Sequence, residues 1–507
     1  MPDLARARIS VACLLTALTT ASLGACSTSP DRPSAAQAVE THELDLHSEV
    51  APRALTAGWI DFLEGLGEAR RGIEDPTLFP PAPSDRNLAE GYRYLLGHLA
   101  RIIESETQGD PHFPYFRRSV RMLSKWTIDN PDTMYLTSSI DSAGTFRIRG
   151  RVPHDASEWR TSARGRAGLR APRVVIFQTT TAMVGDTGGL AEMAACRNQT
   201  LDSVDQFEIE LDADQRFEIL IASERPAGYD GLFLASRATL ACTHADGRRE
   251  DRVREATQVN VREIFSDWEN EVPIELEIVR DDMLGAPRPP RDSEEMGRHL
   301  SEIGRKLGNQ IKFWNALHEI GLEVKGDRNG DGRRAFPVNG LNPPAPPFIA
   351  GGTAGAGQLY SAGTFELEND EALIVRITAP IEPHYLGFQL ANLWGESLDQ
   401  ANYVSSQTGA QNPVTSDGAR YYVVSAQDPG TPGWLDTTGL PKVTMSIRFI
   451  YPRDPDGEKR PTVETFAVKT RDVRARLPDD VRAISVQERR EEVAVRQRHI
   501  QRRWRQY

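Results

Sequence analysis

The sequence predicts an α+β protein, with β-rich jelly-roll or sandwich domains and helical segments at the N-terminus and in the centre. Three observations point there. Apolar residues recur at three-to-four spacing near residues 55–102 and again at 296–320. Short runs rich in β-branched and aromatic residues fill the stretches between and after them. Long turns, not helical crossovers, separate those runs, which favours a sandwich or jelly roll over a parallel sheet.

The elements follow in chain order. Arg6 and Arg8 precede an apolar run from Ile9 to Leu23, and Leu23-Gly24-Ala25-Cys26 follows. The run is short for a membrane span, and its basic start and small residues before a cysteine read as a secretory signal over 1–25. It resembles a bacterial lipoprotein signal, which implies diacylglycerol attachment at Cys26 and an extracytoplasmic, lipid-anchored location in the cell envelope. Residues 26–50 lack a sustained apolar period, as a flexible tether should.

Residues 51–126 are expected as a helical segment. Leu55, Trp59, Phe62, Leu63 and Leu66 share one stripe; Leu88, Tyr92, Leu95, Leu96, Leu99 and Ile102 share another. Pro76, Pro80, Pro81 and Pro83 break the chain between them. A β-rich domain is expected over 127–250. Its strands are placed at 133–140, 145–149, 174–178, 206–211, 216–222 and 232–234. The interval 251–336 reads as a helical insertion or connector, with one helix through Val253, Val261, Ile264, Phe265 and Trp268 and a longer one from Met296 to Ile320. A C-terminal β-sandwich or jelly-roll domain is expected over 337–465, with strands at 363–368, 372–377, 385–391, 420–424 and 443–449. The remainder, 466–507, is a basic extension whose Arg-rich helix either packs on a domain, is solvated, or contacts anionic headgroups.

Composition narrows the function. The 507 residues carry 60 Lys and Arg against 72 Asp and Glu, a formal charge of -12 spread along the chain, which disfavours nucleic-acid binding. Beyond the signal no run approaches the eighteen apolar residues of a span. With Cys13 removed and Cys26 lipidated, Cys196 and Cys242 remain as an expected disulfide. It would close a loop of roughly 45 residues and contribute about 3–4 kcal/mol.

Motifs for chemistry are sparse. Asp327, Asn329 and Asp331, with Gly332 after them, match positions one, three, five and six of a calcium loop. Val338 stands where a complete loop needs its bidentate glutamate, so a metal-free turn competes with calcium, and no other cofactor is expected. The chain lacks a dinucleotide fingerprint, a complete P-loop, a GxSxG elbow and an HExxH helix. Polar and aromatic residues concentrate instead near the last strands. Gln389, Asn392, Trp394, Asp399, Trp434 and Asp436 are the candidate ligand-binding residues, since ring faces stack on sugars or apolar groups while amides donate and accept. His384, Asp399 and Asp436 are the candidate catalytic groups.

Tyr385 to Leu390 through Leu398-Asp399, then Asp428 to Gly439, resemble proteins carrying the domain of unknown function numbered 1214. Upstream, Asp129-Asn130-Pro131-Asp132-Thr133-Met134-Tyr135 and 141–150 resemble the N-terminal region that often accompanies it. The resemblance implies a jelly-roll-like β domain and no established catalytic residue; Trp394, Asp399, Asp428, Trp434 and Asp436 are its family-like positions. The expected function is a membrane-tethered binding or accessory protein for a carbohydrate or small amphipathic ligand. The rivals are a hydrolase acting on an envelope glycan or lipid-like substrate, and a structural envelope-assembly protein that self-associates as a homo-oligomer.

Overall fold

Strand pairing gives four larger sheets and one two-stranded hairpin among the described residues, and the four sheets face one another two by two on a shared plan. The computed structural model describes residues 50–75, 84–160, 168–193, 200–243, 247–322, 336–346 and 357–505. The signal, the tether with Cys26, Cys196 and the calcium-like loop Asp327, Asn329 and Asp331 lie outside them.

The first sandwich is built from β1 (Arg117–Val120), β2 (Thr133–Ser139), β3 (Phe146–Arg151), β4 (Val174–Thr180), β5 (Thr200–Asp205), β6 (Arg216–Ala222) and β7 (Leu232–Ala235), then β10 (Gln258–Ile264) and β11 (Glu275–Arg280). Between them the hairpin β8 (Arg237–Thr243) and β9 (Arg249–Glu255) stands apart. One sheet runs β1-β2-β10-β4-β5 and the other β11-β3-β6-β7. Leu136, Phe177, Val261, Ile148 and Ile219, drawn from both, fill one apolar core. Period-two alternation is what directs them all to one side.

The second sandwich uses β12 (Gln358–Glu366), β13 (Glu371–Thr378), β14 (Tyr385–Ala391), β15 (Ser406–Thr408), β16 (Ala419–Ser425), β17 (Trp434–Asp436), β18 (Lys442–Ile450) and β19 (Thr462–Lys469). Its sheets run β12-β18-β14-β15 and β19-β13-β16-β17 around a core of Leu373, Phe388, Tyr422, Met445 and Phe449. Strand for strand this repeats the first, with β2, β10, β4 and β5 answered by β12, β18, β14 and β15. Likewise β11, β3, β6 and β7 are answered by β19, β13, β16 and β17. Every corresponding pair is antiparallel except the last, β6 with β7 and β16 with β17, which is parallel in both. The chain contains one eight-strand sandwich twice.

Helices form the third body. α1 (Arg53–Glu74), α2 (Asp85–Gln108) and α3 (Ser293–Leu322) share a core with Trp394. Gly58 faces Gly297 and Gly65 faces Gly304, a constant offset that makes α1 and α3 parallel. A methyl at Gly65 would overlap the Gly304 carbonyl, so glycine at seven-residue spacing permits the close approach. Ser84 caps α2 by accepting from the Asn87 amide at 3.1 Å. Last comes α4 (Val486–Arg505), which docks along the sandwiches. Its Arg496 lies over Trp268, and its His499 ring stacks on Trp268 and meets the edge of Phe265. The Arg-rich helix packs on the fold. Among the described residues no helix is long and apolar enough to cross a membrane.

Three expectations are corrected. No sheet closes into a jelly-roll barrel; each pair stays open as two layers. The helix expected through Val253 to Trp268 is instead β9 and β10, because Val259 and Val261 alternate into the first core. The strand expected at 206–211 is a turn after β5, where Asp205 accepts from the Phe207 amide at 2.8 Å. Cys242, the one cysteine among the described residues, is disulfide-bonded, and its expected partner Cys196 lies outside them.

Candidate functional site

The two sandwiches meet through the outward faces of their corresponding sheets. Val174, Ile176 and Ile264 from the first pack on Tyr385 and Ile450 from the second, closing one end of the seam. Beyond that plug both faces turn polar, and the same three residue types recur at corresponding positions. Arg262 on β10 sits opposite Tyr135 on β2, and Arg448 on β18 sits opposite Tyr360 on β12. Each guanidinium lies over its tyrosine ring, at 5.8 and 5.4 Å from the centroid. Each also donates to a glutamine on the third strand, Arg262 to Gln178 and Arg448 to Gln389. Gln178 pairs with Asn260 and Gln389 with Ser446, in each case two residues before the arginine. The Tyr–Arg–Gln triad is therefore duplicated along with the fold.

The triads act on one another. Burial lowers the Arg262 pKa, and the like charge of Arg448 lowers it further, against the phenols of Tyr135 and Tyr360. Burial also works against Arg448, but Tyr360, Tyr135, Tyr385 and Asp129 outweigh it and raise its pKa. Both arginines and both tyrosines are half-buried, whereas Gln178 and Gln389 are buried.

A strained turn borders the seam. Ile128 has φ 58°, a left-handed conformation that is costly for a β-branched residue. Its amide donates to Gly395 at 2.7 Å and its carbonyl accepts from Arg448 at 2.6 Å, which together hold it there. The next residues tie the sandwiches together. Asp129 accepts from the Ser397 amide and hydroxyl at 2.8 and 2.6 Å, and its carbonyl accepts from Gln389 at 2.6 Å. Asn130 donates to the Tyr385 hydroxyl at 3.0 Å, and that hydroxyl donates to Asp132 at 2.5 Å. Burial raises the Asp132 pKa even against that bond. Behind the turn, Lys125 is buried and donates to the Ser397 and Leu398 carbonyls and to Gln400. Burial brings it down to about 8, while burial brings the Glu396 carboxyl up to about 7 despite its pair with Arg93.

The residues singled out in the sequence fall mostly elsewhere. Gln389 belongs to the seam. Trp394 is 1% exposed, donates to the Asn87 carbonyl at 3.0 Å and stacks on Tyr94 inside the helical core. Asn392 caps the turn that carries it, accepting from the Trp394 and Glu396 amides. Asp399 accepts from the Ala401 and Asn402 amides, and Asp436 from Thr438. Trp434 is buried, with its indole N–H on Ser425 and Arg489 over its ring. His384 is buried, with Nε2 against the Arg173 carbonyl and its ring edge-on to Phe207. His384, Asp399 and Asp436 thus occupy three different surroundings.

Among the described residues no group of three or more His, Cys, Asp and Glu is placed to hold a metal ion. A separate open hollow of about 720 Å³ lies at the end of the first sandwich, lined in part by Asp155, Trp159, Arg160 and Leu211. Three of its polar side chains are committed to nearby backbone: Asp155 caps Ser157, Arg160 holds the Phe207 and Ile209 carbonyls, and Trp159 donates to Pro172.

No family model matches the chain, and no curated protein matches its sequence. Among solved structures, an uncharacterised protein from Burkholderia cenocepacia is similar at 22% identity, with a TM-score of 0.63 over 84% of this chain and 100% of that one. A protein from Vibrio parahaemolyticus is matched over 74% of this chain and 98% of its own at 12% identity and a TM-score of 0.37. The Burkholderia likeness is one of fold alone.

The triads were missed in the sequence although a signal exists. Met134-Tyr135 and Leu359-Tyr360, Phe177-Gln178 and Phe388-Gln389, and Arg262-Glu263-Ile264 and Arg448-Phe449-Ile450 are short echoes in the same order. A search for internal repeats is what would have found them.

Proposed function

We propose that this chain is a lipid-anchored, extracytoplasmic binding protein that holds a small carbohydrate or amphipathic ligand in the seam between its sandwiches. One observation carries the reading: the paired Tyr–Arg–Gln triads, with their tyrosines and arginines half-buried beside a strained turn. Rings with polar edges next to amides and guanidinium groups suit a ligand with both apolar and hydrogen-bonding surface. The Asp129–Tyr135 segment, which resembles the N-terminal region that often accompanies the domain of unknown function numbered 1214, borders the same seam from the first sandwich and supports that location.

Tyr135→Ala and Tyr360→Ala, measured against a glycan and lipid panel, test the site. Loss of binding by both variants with unchanged melting temperature is expected; binding at wild-type strength in both overturns it. Mass spectrometry of the native N-terminus tests the anchor: a lipid adduct on Cys26 is expected, and an unmodified terminus at another residue removes it.

A further inference from the structure

The seam holds two guanidinium groups that, among the described residues, meet no carboxylate in an ion pair. Arg448 donates to the Ile128 carbonyl at 2.6 Å, to the Ser446 hydroxyl at 3.4 Å and to Gln389. Arg262 donates to Gln178 and to no other partner among the described residues. Asp129 lies within electrostatic reach of Arg448, but both of its oxygens accept from Ser397. Two like charges are thus held near each other, partly out of water, an arrangement that costs free energy unless a negative group joins them.

Gln178 adds a second, independent sign. It is 1% exposed; its oxygen faces Arg262, and its Nε2 finds no hydrogen-bond partner among the described residues. Its counterpart Gln389 has both ends engaged, donating to Asp129 and accepting from Arg448. A buried donor without an acceptor asks for one.

We propose that the seam binds an oxyanion, a carboxylate or phosphate group of the ligand, between Arg262 and Arg448 with Gln178 Nε2 as a third donor. This rests on the binding reading above and narrows its ligand class. Guanidinium offers paired donors matched to either oxyanion, and a charge-assisted bond is about twice as strong as a neutral one.

Calorimetric titration of the purified full chain with inorganic phosphate, succinate and glucose tests it. Phosphate or succinate should bind, and the tighter of the two identifies the oxyanion. Arg262→Gln should weaken that binding about 10- to 100-fold. Arg262 is half-buried with one bond, so the variant should keep the wild-type melting temperature in the absence of the anion. Arg448→Gln is a poorer probe because Arg448 also holds the strained turn. Gln178→Met is the second variant, keeping volume while removing the donor, and should weaken binding about 5- to 10-fold. Absence of binding by both anions, or wild-type affinity in Arg262→Gln, overturns the proposal. Glucose bound equally by wild type and Arg262→Gln, with no anion bound, overturns the anion while leaving the seam as a binding site.

Discussion

The two sandwiches share eight strands, one strand order and one Tyr–Arg–Gln triad, yet their surroundings differ on every side. In the first, the outer sheet faces solvent with a ladder of charges, Arg147, Arg149 and Arg151 against Glu218, Glu275 and Glu277. In the second, the corresponding sheet is partly covered, with Val473, Leu477 and Val481 packed on Ala372, Ile374 and Val423. The cores differ too. Glu263, one residue after Arg262, points into the first core and is fully buried, while Phe449, one residue after Arg448, fills the same place in the second. Beyond the shared strand order, the copies keep the Tyr–Arg–Gln residues of the seam and vary in their outer sheets and cores.

The largest test of this comparison swaps nothing and only truncates. Phe449→Ala should cost about 3–5 kcal/mol, since it removes a wholly buried ring from a closed core. Denaturant unfolding would measure it, and a loss under about 1 kcal/mol would mean the second core is not packed as described.

The corresponding residue of the first copy should behave with the opposite sign. Burial brings Glu263 up to about 8, although one oxygen accepts from the Ile274 amide at 2.8 Å. The folded state therefore holds a proton that the unfolded state releases above about 4.3. Stability falls as pH rises between those values and levels off above about 8. Glu263→Gln retains the acceptor and removes the ionisation, so it should flatten that slope and stabilise the protein at pH 8 by roughly a few kcal/mol. Melting curves at pH 5 and pH 8 are the readout. Glu271, also brought up to about 8 by burial, should leave a residual slope of the same sign.

A smaller difference separates the glutamines. Gln389→Ala breaks bonds to Arg448 and to the Asp129 carbonyl and should cost about 2–3 kcal/mol, whereas Gln178→Ala breaks one and should cost about 1 kcal/mol. Equal losses would show that the triads are more alike than their bonding indicates. Smallest of all, Arg149→Ala in the exposed ladder should cost under about 1 kcal/mol and still less at high salt.

Much of the local structure was legible. The strand at 385–391 matches β14, and α1, α2 and α3 lie where their 3.6-residue periods placed them, although Trp59, Tyr92 and Leu96 of the expected stripes are exposed while Gly58, Gly65 and Tyr94 are buried. Val253, Val261, Ile264, Phe265 and Trp268 misled because their spacing fits a helix, whereas Val259, Val261 and Glu263 alternate into the core as a strand. Trp394 looked like a ligand platform because an aromatic among Asn, Gln and Asp has the same composition as a buried, capped turn. Only the Asn87 carbonyl and the Tyr94 ring against it show which it is.

By itself the sequence determined where the long helices and most strands run, and which residues share a strand face. Tertiary structure alone decided that two faces from distant parts of the chain would meet, that Tyr135, Arg262 and Gln178 would confront Tyr360, Arg448 and Gln389, and that an Arg-rich tail would pack on Trp268 and Phe265. The reason is physical. Alternation records which side chains point the same way, but a half-polar face is compatible with water, with a ligand or with another sheet. Only the folded chain shows what covers it.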